Sequence, residues 1–415
     1  MKIGPAVWLL LVMGCGASVE VTPGHDAGGG GAPKPDAGRG FDAEPDAGGG
    51  LDAEPDATGT QCGAAGAGSV TLTTLSAPPL AIASDGTDLF WLDTFAPGTP
   101  ATLRAIPVAG GTPRVVTTFS LWNAWVGYCD VTYPDGGVDP GGGTDSSCNT
   151  FSLAVDDDNV YAIGPMGVVS APKAGGTASA LVTLGLPNDF VIGPAVASGG
   201  ALFWVQDHVP NDPDVDETAT IERLDVQSGG ATTLVTEPTS GATNTVLAAD
   251  ADNVYWSTEG SIRATTLTGS ATTTVLSSSS LNAGFLAVAG NRLLWVNEEV
   301  SGGGCGECPP PPTPQPEMVQ SAPVTGGTTT TLITYPFSTD PSVSVLGDSN
   351  FAYVIAAPLS VGSGPANGSL QAYPLAGGSP TTLVTGVPFD LVAMDTCSVY
   401  FASGSALEKV AKPAH

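Results

Sequence analysis

One pattern recurs seven times between Leu80 and the C-terminus. Its clearest copy reads Val246-Leu-Ala-Ala-Asp-Ala-Asp-Asn-Val-Tyr-Trp256, then Ser261-Ile-Arg-Ala-Thr-Thr-Leu-Thr-Gly-Ser-Ala-Thr-Thr-Thr-Val-Leu276. Four short alternating runs are separated by tight-turn residues, so each copy is a four-stranded antiparallel unit. Repeats of this length and content are the blades of a β-propeller. Such a scaffold dictates molecular shape and leaves the chemistry to whatever is grafted on it.

The copies share a grammar. Strand A ends in a tight turn, as in Asp85-Gly-Thr-Asp88, Asp156-Asp-Asp-Asn159, Asp250-Ala-Asp-Asn253 or Ala289-Gly-Asn291. Strand B carries an aromatic or apolar pair: Phe90-Trp91, Tyr161-Ala162, Phe203-Trp204, Tyr255-Trp256, Leu294-Trp295, Tyr353-Val354, Tyr400-Phe401. Strand C ends in a glycine turn such as Gly110-Gly111 or Gly377-Gly378, and strand D is Thr-, Leu- and Val-rich, as in Thr381-Thr-Leu-Val-Thr385. Branched residues suit pleated strands, and glycine supplies the positive φ of tight turns. The aromatic pair is expected to be inter-blade core.

The seventh copy lacks strand D. A matching run, Val70-Thr-Leu-Thr-Thr-Leu75, stands at the start of the repeat region. It is expected to complete the last blade and so remove the open edge of a broken ring. The fold class is therefore all-β: a seven-bladed propeller over 69–413, closed by an N-terminal strand.

Two segments precede it. Met1-Lys2 and the apolar stretch Ile3–Met13 read as a cleavable signal peptide over residues 1–14, since the stretch is too short to span a bilayer as a stable helix. The stretch ends Val12-Met13-Gly14-Cys15, which resembles the lipobox of bacterial lipoproteins. That resemblance implies cleavage after residue 14, a lipidated Cys15 and a membrane attachment through it. Gly16 replaces the aspartate associated with inner-membrane retention, so the resemblance implies the outer membrane of a bacterial envelope. Residues 15–68 repeat Asp-Ala-Gly and Pro-Asp-Ala and carry almost no large apolar side chains. They cannot offset the entropy of ordering and read as a disordered tether.

The charge excludes one class of partner. The chain has 11 Lys and Arg against 40 Asp and Glu, a formal net charge of −29. Such a surface repels nucleic acid. A monomer is expected.

Of the 7 cysteines, Cys15 is set aside for lipid, which leaves an even number in an exported chain. Six cysteines allow 15 pairings. The blade map favours Cys62–Cys397, because Cys62 precedes the closing strand and Cys397 lies in the A–B turn of the blade it completes. Cys129–Cys148 would close a long insertion. Cys305 and Cys308, in Cys-Gly-Glu-Cys, then form a local bridge, with a redox pair or zinc as the alternatives.

The pattern Leu-Ala-x-Asp, aromatic-Trp, Ile-x-Arg, Thr-x-x-Gly, Thr-Thr-x-Val-Leu resembles the YWTD-type propellers of low-density-lipoprotein-receptor relatives. It is also similar to bacterial lipoprotein propellers. Phe90-Trp-Leu-Asp93 keeps most of the motif, whereas Tyr255-Trp-Ser-Thr258 and Leu294-Trp-Val-Asn297 lack the final acid. The YWTD family has six blades, and this chain has seven copies.

Insertions fall in B–C connections (93–101, 206–219, 297–317, 356–368) and in one D–A connection (120–150). These connections emerge on one face of a propeller, where binding is expected. The D–A insertion holds Trp122, Trp125, Tyr128 and Tyr133, which suit stacking on a glycan or on a protein partner's apolar anchor, or form the insertion's own core. Another insertion holds Asp212, Asp214 and Asp216, spaced like calcium ligands, but Glu217 replaces the glycine an EF-hand needs next. A solvated acidic loop is the plainer reading, and calcium is the one cofactor the sequence raises. Pro309–Pro316 reads as a stiff spacer.

Enzymatic chemistry has little to work with. Of 3 histidines, His25 is in the tether and His415 is terminal, which leaves His208. Histidine metal clusters and Ser-His-Asp hydrolysis are disfavoured, and no catalytic residue is assigned. The cross-class alternative is a carboxylate-based hydrolase or lyase acting on polysaccharide. It would need acids on strand A, which reads mostly Ala, Val and Leu. The expected role is a non-catalytic binding or scaffolding module for an envelope protein or glycan.

Overall fold

The computed structural model describes residues 68–94, 99–120, 151–184, 189–208, 218–238, 245–258, 260–297, 316–335, 341–358, 368–389 and 391–414. These form 28 strands in seven four-stranded antiparallel sheets. Blade 1 is β2 (Ala81–Ser84), β3 (Asp88–Leu92), β4 (Ala101–Pro107) and β5 (Arg114–Phe119). Blade 2 is β6–β9 (152–183), blade 3 β10–β13 (189–238), blade 4 β14–β17 (247–277), blade 5 β18–β21 (283–335) and blade 6 β22–β25 (341–387). Blade 7 is β26 (Leu391–Met394), β27 (Ser398–Ser403) and β28 (Ala406–Ala411), completed by β1 (Val70–Thr74). The seven blades and the closure match the expectation from sequence.

The closing strand is a D strand in detail. In blade 1 the C–D register slips between Leu103 and Arg104, and the slip recurs at Val168/Val169, Ile221/Glu222, Ile262/Arg263, Val319/Gln320 and Leu370/Gln371. β1 on β28 shows the same irregularity, between Thr71 and Thr73. A bulge raises local twist and bends the outer strand around its blade. β1 also shares the D-strand burial pattern: Leu72 and Leu75 pack against the core while Val70 and Thr74 stay exposed.

The innermost strands are the A strands, which touch one another from blade to blade. They are short and almost wholly buried, as in Ala81–Ser84, Ser152–Val155 and Leu391–Met394. The strand-B aromatics fill the seams: Trp91, Trp204, Trp256, Trp295, Tyr255, Tyr353, Tyr400, Phe90, Phe203 and Phe401 are among the largest fully buried side chains. They are core, as their position in the repeat implies.

Packing at one seam leaves no room for a methyl group. A Cβ on Gly347, at the end of β22, would lie 2.4 Å from the Ala289 Cβ and 2.7 Å from the Leu294 Cδ1 of blade 5. Gly347→Ala is expected to cost about 1–3 kcal/mol by overpacking. A thermal melt would show it as a fall of a few degrees, and an unchanged melting temperature would mean that the seam is slack.

Candidate functional site

The two faces of the ring differ in construction. A–B turns are short throughout, from 199–200 to 395–397, and the C–D turns are also uniform, as in 108–113 and 324–329. The opposite face carries connections of every length, from 404–405 and 165–166 to 209–217, 298–316 and 120–151. Val70 pairs with Lys409, near the end of β28, and the Lys412 N–H reaches the Cys397 carbonyl in an A–B turn. The chain therefore enters the ring on the short-turn face.

Five of the seven A–B turns on the short-turn face are capped by an aspartate, and four of these share one device. In blade 2 the Asp156 Oδ1 accepts backbone N–H groups of Asp158 and Asn159, and its Oδ2 accepts the Tyr161 hydroxyl at 2.5 Å. The same lock joins Asp250 to Tyr255 at 2.6 Å, Asp348 to Tyr353 at 2.7 Å and Asp395 to Tyr400 at 2.5 Å. A carboxylate thus caps its own turn and fixes the aromatic five residues on. Burial, then the adjacent carboxylate, pushes each of these four phenols above its ordinary range. In blade 1 Phe90 takes the tyrosine's place, and Asp85 Oδ2 instead accepts Lys173 Nζ of blade 2 at 2.8 Å.

Two of these carboxylates sit below the usual range. Burial raises Asp348, but the Lys412 ammonium and the backbone N–H of Asn350 outweigh it. Burial also raises Asp85, against backbone N–H groups of Asp88 and Thr87 and the Lys173 ammonium. The device was legible as an Asp-x4-Tyr spacing in four copies, although strand periodicity alone gives no reason to pair those residues.

At the insertion face, side chains pin the roots of the connections. Asp93 Oδ1 accepts the Trp91 indole N–H at 2.8 Å, and its Oδ2 takes Arg104 Nε at 2.5 Å. Asn297 Oδ1 accepts the Asn282 N–H at 2.8 Å, and its Nδ2 donates to the Ser280 carbonyl at 3.0 Å. Ser257 Oγ accepts the Val246 N–H at 3.1 Å. Arg263 reaches across to Glu237 of blade 3 at 2.6 Å. The variable connections thus rise from rigid footings.

Every lysine and arginine among the described residues is engaged. Arg104, Arg114, Lys173, Arg223, Arg263 and Lys412 pair with carboxylates. Arg292 donates to the Ser321 hydroxyl and Lys409 to the Val108 carbonyl. The described Trp and Tyr side chains are buried, apart from half-buried Tyr335. The exposed large apolar residues among them are Val70 and Val115.

The predicted site residues fall mostly outside the described residues. Trp122, Trp125, Tyr128 and Tyr133 do, as do Asp212, Asp214 and Asp216, Cys15, Cys62, Cys129, Cys148, Cys305 and Cys308. Cys397 is described and is disulfide-bonded, with its partner outside the described residues. Among the described residues no group of three or more His, Cys, Asp or Glu is placed to hold a metal ion. No described helix is long and apolar enough to cross a membrane.

No family model matches the chain, and no curated protein matches it. Solved structures do. An oligogalacturonate lyase in complex with manganese aligns with a TM-score of 0.53 at 13% identity, covering 85% of this chain and 95% of that one. The oligogalacturonate lyase of Vibrio parahaemolyticus gives 0.53 at 9% identity over 83% and 93%. Pyrococcus horikoshii acylaminoacyl peptidase gives 0.51 at 10% identity over 81% of this chain and 52% of its own length. The chain is similar to these proteins as a propeller, and at such identities the likeness is one of fold.

Proposed function

We propose that this chain is a lipid-anchored, non-catalytic binding module of the bacterial envelope, in the manner of YWTD-like lipoprotein propellers. It would hold a protein or glycan partner on its insertion-bearing face. One observation carries this reading. Side chains that form interaction hot spots are chiefly Trp, Tyr and Arg. In the described body those residues are taken up by the core, by ion pairs and, for Arg292, by the Ser321 hydroxyl, with Tyr335 half-buried, while Trp122, Trp125, Tyr128 and Tyr133 all fall in the single connection 120–151. The exposed apolar residues of the body are too few to offer a patch of their own.

The polysaccharide hydrolase or lyase is the lesser reading. A galacturonate oligomer is a polyanion, and the cations of the described body are already engaged. The first carboxylate of five A–B turns is committed to backbone N–H groups, four of them also to tyrosines and Asp85 to Lys173. An uncharged or cationic partner fits an acidic chain better.

The test is a photo-crosslinking residue placed at Trp125 and, separately, at Thr87 on the short-turn face, followed by exposure to envelope extract. A discrete product from position 125 and none from position 87 is expected. The opposite result would move the binding surface to the other face. In parallel, a thermal melt with millimolar calcium and with neutral glycans should shift upward for any true ligand.

A further inference from the structure

One position, just after strand C, is equivalent in all seven blades. Its residues are Val108, Lys173, Val226, Leu267, Val324, Leu375 and Lys412. In each, the backbone N–H bonds a carbonyl in the A–B turn of its own blade: Thr87, Asp158, Gly200, Asp252, Asn291, Asn350 and Cys397 in order. At three of these positions, Lys173, Leu267 and Lys412, the side chain reaches the A–B turn of the preceding blade. Leu267 of blade 4 lies so close to Gly199 of blade 3 that a Cβ there would meet its Cδ1 at 2.7 Å. At inner seams this residue is Val or Leu.

At seams 6/7 and 1/2 it is a lysine paired with a carboxylate, while at seam 7/1 it is Val108. Lys412 of blade 7 reaches Asp348 of blade 6 at 3.0 Å, with its ammonium 5.1 Å from the Tyr353 ring centroid. Lys173 of blade 2 reaches Asp85 of blade 1 at 2.8 Å. Between those two seams, Lys409 of blade 7 donates to the Val108 carbonyl of blade 1 at 2.5 Å. Within blade 7, Ser69 donates to Glu408 at 2.5 Å, just ahead of β1. Lysine contacts therefore mark the three consecutive seams 6/7, 7/1 and 1/2. Blade 7 is also the one blade assembled from both ends of the propeller sequence, so main-chain continuity does not join its fourth strand to the other three, and the Cys397 disulfide is a covalent tie anchored in this blade.

We propose that blade 7 is a charge-held clasp: the ring opens there first, as one unit of β1 and β26–β28, and the Lys412–Asp348 pair sets how readily it opens. Lys412 is only 2% exposed, so its ammonium has no solvent alternative to Asp348 and Tyr353. Neutralising Asp348 leaves the Lys412 ammonium buried and uncompensated, whereas removing Lys412 takes the cross-blade cation from a carboxylate that keeps the Asn350 and Phe351 N–H groups and the Tyr353 hydroxyl of its own blade. Seam 3/4 also carries an ion pair, Arg263–Glu237, but its arginine is 36% exposed and so keeps water as an alternative partner, which Lys412 lacks. Because the chain enters the ring at β1, anything acting through the preceding segment acts on this blade first.

The test is hydrogen exchange read by mass spectrometry on the full chain at neutral pH, with the Cys397 disulfide intact. In the wild type, peptides from β1 and β26–β28 are expected to exchange faster than those from blades 3–5. Lys412→Met should raise exchange in blade 7 by at least about tenfold and leave blades 3–5 unchanged. Asp348→Asn, which keeps side-chain size, should act in the same direction if Lys412→Met does not fold. Val324→Ala, at an inner seam, should not single out blade 7. Equal acceleration in all blades, or none in blade 7, would overturn the clasp. Neither result depends on a lipid anchor or a partner, so the binding proposal stands or falls separately.

Discussion

Deleting residues 69–76 is expected to abolish the cooperative fold of the propeller. β1 supplies the fourth strand of blade 7 through its ladder on β28, and Leu72 and Leu75 cover the core beneath. The backbone hydrogen bonds of this ladder and of the Leu75 N–H to the Ser405 carbonyl, at about 1 kcal/mol each, with two leucines at about 1–2 kcal/mol each for partial burial, are a large part of the stability of a typical domain, about 5–15 kcal/mol. The deletion would also leave β28 as a bare edge, open to pairing with other chains. Circular dichroism melts and size exclusion would check this. A deleted chain that melts like the parent would show that three strands suffice for blade 7.

The second large effect lies at high pH. Tyr161, Tyr255, Tyr353 and Tyr400 are buried beside carboxylates that accept their hydroxyl protons. Their folded pKa values lie above the unfolded value of about 10. A group raised on folding contributes its full stability below the unfolded pKa and loses it as pH climbs above. Each tyrosine should then lower stability by about 1.4 kcal/mol per pH unit above pH 10. Four together would unfold the ring within about one to two pH units, and no such loss is expected between pH 7 and 9. Chemical denaturation from pH 8 to 12 would show it. Tyr353→Phe should flatten the slope by one proton, since Phe90 already occupies the equivalent place in blade 1. An alkaline slope unchanged in that variant would mean that Tyr353 is already free to ionise.

Acid acts on the other side. Asp348 and Asp85 have lowered folded pKa values, so their contribution is present above the unfolded value of about 3.9 and is lost only as pH falls below it. The carboxylates of the Lys412–Asp348 pair at seam 6/7 and the Lys173–Asp85 pair at seam 1/2 therefore stay ionised across the neutral range.

By itself the sequence determined the architecture, because a propeller blade is local. Each copy's four strands and turns follow from alternation, glycine turns and branched residues within about 40–45 neighbouring residues. Even the one non-local pairing, β1 with β28, was legible, since the repeat leaves a missing strand at one end and a spare at the other. The face bearing the variable connections followed from topology alone. Only the tertiary structure decided how blades hold one another. That Lys173 meets Asp85 and Lys412 meets Asp348 depends on side chains of adjacent blades being brought together across long sequence separations. The bulge shared by every C–D pair breaks the alternation of the D strand, as the adjacent inward pair Leu383-Val384 records, but only the pairing register identifies that break as a slip against strand C. Strand patterns are written along the chain, but the seams between blades are written across it, and only folding brings their two sides together.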